Sequence, residues 1–334
     1  MTDRGASHVV RPLTRRTFLA LAGAAPLAIG GAAAADFPSK TIRIVVPYPA
    51  GGSVDALARI LAQEMQAAKG WTVVVENKAG ASGAVGTREV ARAEPDGHTL
   101  VLGTNQTHAT NAFLMKEPGY DPVADFAPVA GLADLQHALV VPKASKAASV
   151  AELIAAAKAA PGTLNYGSTG NGSASHLAME LFKSKAGIDM QHVPFRGAAP
   201  LSLELVAGRI DAAFVTLPSV VSLVQAGDVK ALAIASPSKA RQLPAVPLLS
   251  QAGIAGGEAD AWIALFAPAR TPAAAMAALE AAAAGAMGKP AIVELATAQG
   301  IAVNVRPGAA FKAFQREEIA RWAAVARSVK LAPE

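Results

Sequence analysis

A strand, a glycine-rich turn and a helix follow one another near the start of the chain, and this unit constrains the possible folds more than any other stretch. Residues 41–46 form an apolar, largely β-branched run, which is typical of a buried strand in a parallel sheet. Beyond the turn, Leu57, Leu61 and Met65 recur at helical spacing and predict an amphipathic helix. If the same unit repeats along the chain, the fold belongs to the α/β class.

The turn itself, residues 47–55, contains two prolines, two glycines and Ser53 at the predicted N-cap. Backbone N–H groups at a helix N-terminus lack acceptors within the helix and carry a partial positive charge, so this turn can bind a small anion. An ordinary strand–helix connection capped by Ser53 explains the same residues equally well. The rest of the chain has to decide between the two interpretations.

The strand–helix pattern repeats along the chain. Residues 71–75 and 98–103 predict two further strands, and polar or glycine-rich stretches follow them at residues 80–86 and 104–108. Parallel strands joined by helices bring their carboxyl ends to one edge of the sheet, where ligands bind in such folds. This convergence favours the anion-binding interpretation of residues 47–55.

A second series of alternating strands and helices is predicted after an extended apolar stretch at residues 126–142. Strands predicted up to residue 235 end in polar loops at residues 167–173, 196–200 and 216–219, and residues 259–266 predict a return strand. The predicted fold class is therefore α/β, with two doubly wound α/β domains, a hinge that the chain crosses twice and a cleft between the domains. The predicted domains are residues 36–138 plus 262–334 for the first and residues 139–261 for the second.

The first 35 residues are predicted to be a targeting segment rather than part of the fold. Arg15 and Arg16 precede a short apolar run, and Ala33–Ala35 offers an A-x-A-like cleavage site. The pattern predicts export through the twin-arginine route to the periplasm with cleavage near Ala35, and an uncleaved anchor is the alternative. Without this segment 26 basic and 24 acidic side chains remain, which argues against nucleic acid as a partner. The absence of cysteine fits an oxidising compartment.

Sequence motifs for catalysis and for metal binding are missing from the chain. It has no G-x-S-x-G elbow, no H-E-x-x-H motif, no phosphate-binding P-loop and no cysteine nucleophile. The histidines lack metal-ligand spacing, and His108 and His176 are the two that lie near predicted cleft loops. We therefore predict no catalytic residue, no metal and no cofactor. A cleft of amides and hydroxyls favours a binding protein over an enzyme.

Two charged residues near the predicted cleft have two interpretations each. Asp55 could contact a ligand, but the helix dipole also explains an acidic residue in the first turn of a helix. Arg196 is the only cationic side chain in the predicted loops. It could pair bidentately with a carboxylate, or it could be an ordinary solvated surface arginine.

Four motifs, taken together and in order, carry a resemblance to a known family. They are residues 47–55, residues 80–86, residues 166–173 followed by His176-Leu177, and residues 193–200. Over residues 37–334 the chain resembles the Bug family, the extracytoplasmic solute receptors of tripartite tricarboxylate transporters. The resemblance implies a two-domain fold like that of type II periplasmic binding proteins, a small organic carboxylate as ligand, and membrane transporter subunits as partners. We further expect a monomer.

The resemblance also implies which residues bind the ligand. In the family the first two loops hold a carboxylate through backbone amides, hydroxyls and bridging waters, and the loops of the second domain close over the rest of the ligand. The matching residues of the first two loops are Ala50, Gly51, Gly52, Ser53, Ala81, Ser82 and Gly83. The matching residues of the second domain are Ser168, Thr169, Asn171, Ser173 and Gly197. The predicted site further includes Tyr48, Asp55, Thr104, Asn105, Arg196 and Thr216.

Three positions depart from the family pattern. Tyr48 stands where phenylalanine is frequent, and Arg196 stands where lysine is common. Asn111-Ala112 replaces the usual Asn-Pro pair after the third strand. These positions face the variable end of the ligand in the family, so they bear on specificity rather than on the fold.

Three functional hypotheses follow from the sequence. The leading one is a periplasmic receptor that hands a small organic acid to a membrane transporter. The alternative keeps the binding but changes the partner, because a loaded receptor can also report its ligand to a sensor kinase. The third hypothesis is a periplasmic enzyme that acts on a small organic acid, and the missing nucleophile–base motif argues against it.

Overall fold

The computed structural model describes residues 37–333, together with Met1 and Thr2. The predicted targeting segment, with Arg15, Arg16 and the cleavage site near Ala35, lies outside the described residues. None of the described helices is both long enough and apolar enough to span a membrane.

Strands and helices alternate through most of the described chain. The strands are β1 (Ile42–Val46), β2 (Val73–Asn77), β3 (Thr99–Thr104), β4 (Phe126–Leu135), β5 (His137–Pro142), β6 (Asn165–Ser168), β7 (Gln191–Pro194), β8 (Ala212–Thr216), β9 (Val229–Ile234), β10 (Ala261–Pro268) and β11 (Ile301–Pro307). The helices are α1 (Ser53–Lys69), α2 (Ala84–Ala91), α3 (Asn111–Leu114), α4 (Val150–Ala159), α5 (Ala174–Ala186), α6 (Ala198–Val206), α7 (Leu217–Gln225), α8 (Ala273–Met287), α9 (Pro290–Ala298) and α10 (Gly308–Ser328). Two short turns complete the list, a 3₁₀ turn at Ala81–Gly83 and a π-helical turn at Gln106–Thr110.

The strands form two mixed sheets. In the first sheet the order is β11-β4-β10-β3-β1-β2; β1 is parallel to β2 and β3, and β10 is antiparallel to β3 and β4. In the second sheet the order is β7-β6-β8-β5-β9; β6 is parallel to β7 and β8, and β5 is antiparallel to β8 and β9. Each sheet therefore combines three parallel strands with an antiparallel strand beside them.

Helix α1 shows how the sequence pattern produces a local structure. Its apolar face, with Leu57, Leu61 and Met65, is fully buried. The helix ends where Gly70 takes a left-handed conformation with φ of 68°. The N-cap is Gly52 rather than the predicted Ser53, which is the first residue of the helix. The amide of Ser53 therefore belongs to the N-terminal N–H groups that have no acceptor within the helix.

The chain passes between the two sheets at two places. β4 ends at Leu135 and β5 begins at His137, so a single residue, Gln136, connects the sheets. The chain returns after β9 and re-enters the first sheet at Ala261, the first residue of β10. The two-domain α/β arrangement confirms the predicted fold class. The domain boundaries themselves remain a prediction.

Helix α10 contributes to the hydrophobic cores of both sheets. Phe311, near its start, packs edge-on against Trp262 of β10 with ring centroids 5.1 Å apart. Trp322, near its end, is fully buried in the cluster around the second sheet, together with Leu139 and Phe182. The sequence pattern assigned this segment to the first domain, whereas its side chains pack against both sheets.

Several elements differ from their predicted bounds by one or two residues. The strands predicted at residues 98–103 and 259–266 lie at Thr99–Thr104 and Ala261–Pro268. β11 was not predicted. It is an edge strand that pairs antiparallel with β4, and only its first residue is buried. Because Asn304 and Arg306 interrupt its apolar residues, its sequence lacks the continuous apolar run of the inner strands.

Candidate ligand-binding site

A cavity of about 1070 Å³ is lined by strand ends and loops of both sheets. From the first sheet come the turn before α1, the end of β3 and the start of β10. From the second sheet come the loop before α5, the turn before α6 and the start of α7. A smaller depression of about 480 Å³ between α1 and β2 is lined by none of the predicted site residues.

Asp55 fixes the turn before α1. Its buried carboxylate accepts hydrogen bonds from the Gly51 amide at 2.9 Å, from Arg59 Nε at 3.0 Å and from Asn77 Nδ2 at 3.0 Å. Burial alone would raise the pKa of Asp55, but these hydrogen bonds outweigh it and lower the pKa below its usual value. Asn77 Nδ2 also donates to the Tyr48 carbonyl at 3.2 Å. A carboxylate that does not line the cavity thus holds the turn in one shape.

The start of α1 offers backbone donors to the cavity. Gly52, Ser53 and Val54, the N-cap and the first two helical residues, all line it. Amides in the first turn have no acceptor within the helix, and the helix dipole favours an anion beside them. The amide of Gly51 is not part of this set, because it is bonded to Asp55.

Tyr48 ties the same turn to the end of β3. Its hydroxyl lies 2.6 Å from Thr104 Oγ1 and donates to Gln106 Oε1 at 3.4 Å. Burial raises the pKa of Tyr48 well above its usual range, so the phenol stays neutral. Gln106 Nε2 in turn donates to the Asn171 carbonyl at 3.1 Å. Tyr48 and Gln106 therefore link the turn before α1 to the loop before α5.

The loop before α5 is fixed by side chains from both sheets. Ser173 is the N-cap of α5 and accepts a hydrogen bond from the His176 amide. The Gly172 amide donates to His176 Nδ1 at 3.1 Å, which requires the unprotonated Nδ1 of that ring. Thr110, from the π-helical turn of the first sheet, donates through Oγ1 to the Gly172 carbonyl at 2.7 Å.

Three stacked rings support this loop. Tyr166, His192 and His176 stack in that order, with centroid separations of 4.8 and 3.9 Å. Burial lowers the pKa of both histidines to about 4, so both are neutral at pH 7. Ser168 Oγ lies 2.6 Å from His192 Nε2, which is the spacing of a serine–histidine pair. Ser168 is fully buried, however, and neither residue of the pair lines the cavity.

The described lining of the cavity includes a cationic side chain and no acidic one. Arg196 lines the cavity, whereas none of the described lining residues is Asp, Glu or Lys. His137 also lines it; its Nδ1–H donates to the Ala259 carbonyl at 2.7 Å, and burial lowers its pKa to about 4. This lining favours an anion over a cation. No three His, Asp or Glu side chains between residues 37 and 333 lie together as a metal site.

The structure brings twelve of the eighteen predicted site residues to the cavity. Those that line it are Tyr48, Ala50, Gly51, Gly52, Ser53, Thr104, Asn105, Thr169, Ser173, Arg196, Gly197 and Thr216. Those that do not line it are Asp55, Ala81, Ser82, Gly83, Ser168 and Asn171. Contact of any of these residues with a ligand stays a prediction.

The turn at Ala81–Gly83 does not line the cavity and is packed against the π-helical turn and α3. Its three residues have φ values of 45°, 52° and 81°. The Ser82 carbonyl accepts from Asn111 Nδ2 at 3.1 Å, and a Cβ at Gly83 would lie 2.5 Å from Thr107 Cγ2. The predicted role of this turn in carboxylate binding therefore depends on atoms outside the present lining.

The lining residues that were absent from the predicted site include Gln106, His137 and Trp262. His137 and Trp262 lie at the amino ends of the antiparallel strands β5 and β10. The register pairs His137 with Thr216, and Ile263 with Thr104, so these amino ends meet the carboxyl ends of the parallel strands. The sequence pattern indicated both strands but not their direction, and direction decides which end reaches the cavity.

Comparison with known sequences identifies the family of the chain. The family model for the tripartite tricarboxylate transporter family receptor matches residues 57–331. BugT of Bordetella pertussis is 34% identical over 312 residues, which cover 93% of this chain and 94% of BugT.

Two similar solved structures contain a carboxylate ligand. Rpa4515 of R. palustris with adipate has a TM-score of 0.85 at 33% identity, over 90% of this chain and 100% of that chain. MatC from Rhodopseudomonas palustris with bound malate has a TM-score of 0.80 at 33% identity, over 86% and 99%. The sequence resemblance is thereby confirmed, and the chain belongs to the Bug family of tripartite tricarboxylate transporter receptors.

Proposed function

We propose that this protein is an extracytoplasmic receptor that binds a small organic carboxylate in the cavity and delivers it to a tripartite transporter. One observation carries the proposal: the N-terminus of α1 lines a cavity whose described lining includes Arg196 and no acidic side chain. Free amides, a helix dipole and a guanidinium all favour an anion. An ammonium group would find no counter-charge on this lining.

The relatives support the chemical class of the ligand. Rpa4515 carries adipate and MatC carries malate, and each is 33% identical to this chain. Both ligands are small organic acids with two carboxylates. Since this cavity is lined mainly by neutral donors and apolar groups, it suits the same class.

The family and the N-terminal sequence support the proposed transporter partner and cellular location. Members are receptors of tripartite tricarboxylate transporters, which supports delivery of the ligand to membrane subunits. The twin arginine at Arg15 and Arg16, followed by an apolar run, supports export to the periplasm and cleavage near Ala35. We propose that the exported receptor acts as a monomer.

We further propose that the protein binds its ligand without changing it. The structure does contain a serine–histidine pair, Ser168 and His192, at 2.6 Å. The serine is fully buried, its Oγ also accepts from the Gly170 amide at 3.1 Å, and it does not line the cavity, which argues against a nucleophilic role. Solute-binding proteins among the relatives support the same conclusion.

A thermal-shift and calorimetric screen tests the proposed function. Adipate and malate should each raise the melting temperature, because a ligand at about a hundred times its Kd stabilises a protein by roughly 2.7 kcal/mol. Adipamide, which replaces both carboxylates by neutral amides, should give no shift, and neither should the dication putrescine. If none of a panel of mono-, di- and tricarboxylates binds, or if adipamide binds as tightly as adipate, the proposal is wrong.

A further inference from the structure

Two buried hydrogen-bond donors on the cavity lining have no partner. Asn105 is 2% exposed and Trp262 is 1% exposed, and both line the cavity. Neither Asn105 Nδ2 nor Trp262 Nε1 is bonded to any described residue. A buried donor without a partner costs about 1–3 kcal/mol, and native proteins pair nearly all such groups. The two donors therefore require an acceptor that the chain does not supply.

Sheet pairing places the two donors at the same end of one strand pair. Thr104, the last residue of β3, pairs with Ile263 of β10. Asn105 follows Thr104 with helical backbone angles, and Trp262 precedes Ile263, so both residues lie at the cavity end of this pair. The two donors therefore belong to the same part of the cavity lining.

The Trp262 indole is packed against two aromatic rings of α10. The Trp262 ring lies edge-on to Phe311 at 5.1 Å and edge-on to Phe314 at 6.2 Å. Both phenylalanines belong to α10, which packs on the first sheet. A donor fixed in this way loses little conformational entropy when an acceptor binds.

The other buried unpartnered atoms do not share this placement. Among the described residues they include His108 Nε2 and Asp260 Oδ1, and neither residue lines the cavity. His108 is stacked on Phe266 with ring centroids 3.8 Å apart, inside the core of the first sheet. The unpartnered donors of Asn105 and Trp262 are therefore distinguished by their position on the ligand cavity.

We propose that Asn105 and Trp262 form a second subsite, which binds a carboxylate at the far end of the ligand. This proposal rests on the proposed function, in which the start of α1 holds the first carboxylate. Two neutral N–H donors match the two oxygens of one carboxylate. A methyl end would leave both donors unpaired, so the subsite selects dicarboxylates over monocarboxylates of the same length.

The experiment compares matched ligand pairs by isothermal titration calorimetry. The probes are linear dicarboxylates of four to eight carbons and the monocarboxylates of the same lengths, such as adipate and hexanoate. The wild-type protein should bind its best dicarboxylate at least about tenfold more tightly than the matching monocarboxylate, which is what one satisfied buried donor accounts for. Equal affinity for the two members of every pair would overturn the proposal.

Two variants test whether Trp262 and Asn105 cause the preference for dicarboxylates over monocarboxylates. Trp262→Phe keeps the aromatic ring and removes Nε1–H, and Asn105→Leu keeps the size and removes the amide. Each should weaken dicarboxylate binding by about tenfold and leave monocarboxylate binding equal to or tighter than that of the wild type, because a methyl end satisfies neither donor. Trp322→Phe is the matched control, since its indole donates to Glu318 in the core, away from the cavity.

Each remaining outcome has a defined meaning. If the variants weaken both ligand classes equally, or change neither, the donors serve packing or an ordered water and the subsite is wrong. If Trp262→Phe fails to fold, Asn105→Leu alone decides the question. If the wild-type protein binds no carboxylate of either class, the proposed function has failed, and this result is separate from failure of the subsite.

Discussion

Gly51 and Gly52 have different roles although they are adjacent in the sequence. Gly51 has φ of 85° and its amide is bonded to Asp55, so it shapes the turn. Gly52 has φ of −82° and lines the cavity as the N-cap of α1. Conformational freedom is therefore required at Gly51, whereas close approach of a ligand to the backbone is what Gly52 permits.

Substitution of Gly52 by valine should separate binding from folding. A Cβ at this position meets only the Pro49 carbonyl oxygen, at 3.8 Å, and the backbone conformation suits any residue. Gly52→Val should therefore fold normally, with a melting temperature within about 2 °C of wild type, because no strain is introduced. Its affinity for adipate or malate should fall by about tenfold or more, because the side chain blocks the start of α1.

The control for this variant adds the same side chain elsewhere. Gly285 lies in α8, and a Cβ there meets nothing within 4 Å. Gly285→Val should leave the affinity unchanged. Wild-type affinity in Gly52→Val, measured by calorimetry, would show that the ligand does not approach this backbone.

The π-helical turn at Gln106–Thr110 is the element that joins the two halves of the site. It follows β3 directly, and all five of its residues are buried. Through Gln106 and Thr110 it donates to the carbonyls of Asn171 and Gly172, in the loop that carries Thr169 and Ser173 to the cavity. These two hydrogen bonds run from a turn of the first sheet to the loop before α5 in the second sheet, and they hold that loop at the cavity.

Thr110→Val should loosen the loop before α5. Valine has the shape of threonine but cannot donate to the buried Gly172 carbonyl, so the variant should lose about 1–2 kcal/mol of stability. Ligand affinity should fall severalfold in calorimetry, because the loop before α5 loses one of its two bonds to the first sheet.

A second threonine provides the matched control for this prediction. Thr271 donates through Oγ1 to the Pro268 carbonyl at 2.8 Å, is buried and does not line the cavity. Thr271→Val should lose stability without losing affinity. If the two variants lose affinity to the same extent, the crossing bond from Thr110 has no special part in ligand binding.

At the level of the whole molecule, the sequence pattern predicted what depends on local order. The alternation of strands and helices, the polar loops at strand ends and the two crossings all follow from residues near one another in the chain. Strand direction is decided by pairing between residues far apart in the sequence, as in β10 with β3. The sequence pattern therefore did not predict that Trp262 and His137 line the cavity. The role of Asp55 was hidden for the same reason, since Asn77 reaches it from another element.

The crossings between the sheets contain a half-buried acid, Asp260, whose charge depends on pH. Asp260 immediately precedes β10; its Oδ2 accepts from Ser236 Oγ at 2.9 Å, and its Oδ1 is buried without a partner among the described residues. Ser236 also accepts from Gln136, the residue of the first crossing, at 3.0 Å. Burial, together with the nearby charge of Asp134, raises the pKa of Asp260 to about 7.

This raised pKa predicts the sign of a stability change with pH. The unfolded chain releases the Asp260 proton near pH 4, whereas the folded protein keeps it until about pH 7. Stability from this group is therefore full below about pH 4 and is lost as the pH rises through about 7. In Asp260→Asn, which mimics the protonated acid, that loss should vanish. Relative to wild type, the variant should gain roughly 2–4 kcal/mol between pH 4.5 and pH 8.

Urea unfolding of wild type and Asp260→Asn at pH 4.5, 6 and 8 measures this gain. Other titrating groups, including His137, are common to both proteins and cancel in the difference. Glu117→Gln, at an exposed position, controls for the removal of one negative charge and should show no such trend. A difference between wild type and Asp260→Asn that stays constant with pH would mean that Asp260 is charged in the folded protein. The two crossings would then contain a half-buried negative charge at neutral pH, stabilised by the Ser236 hydroxyl rather than by a proton.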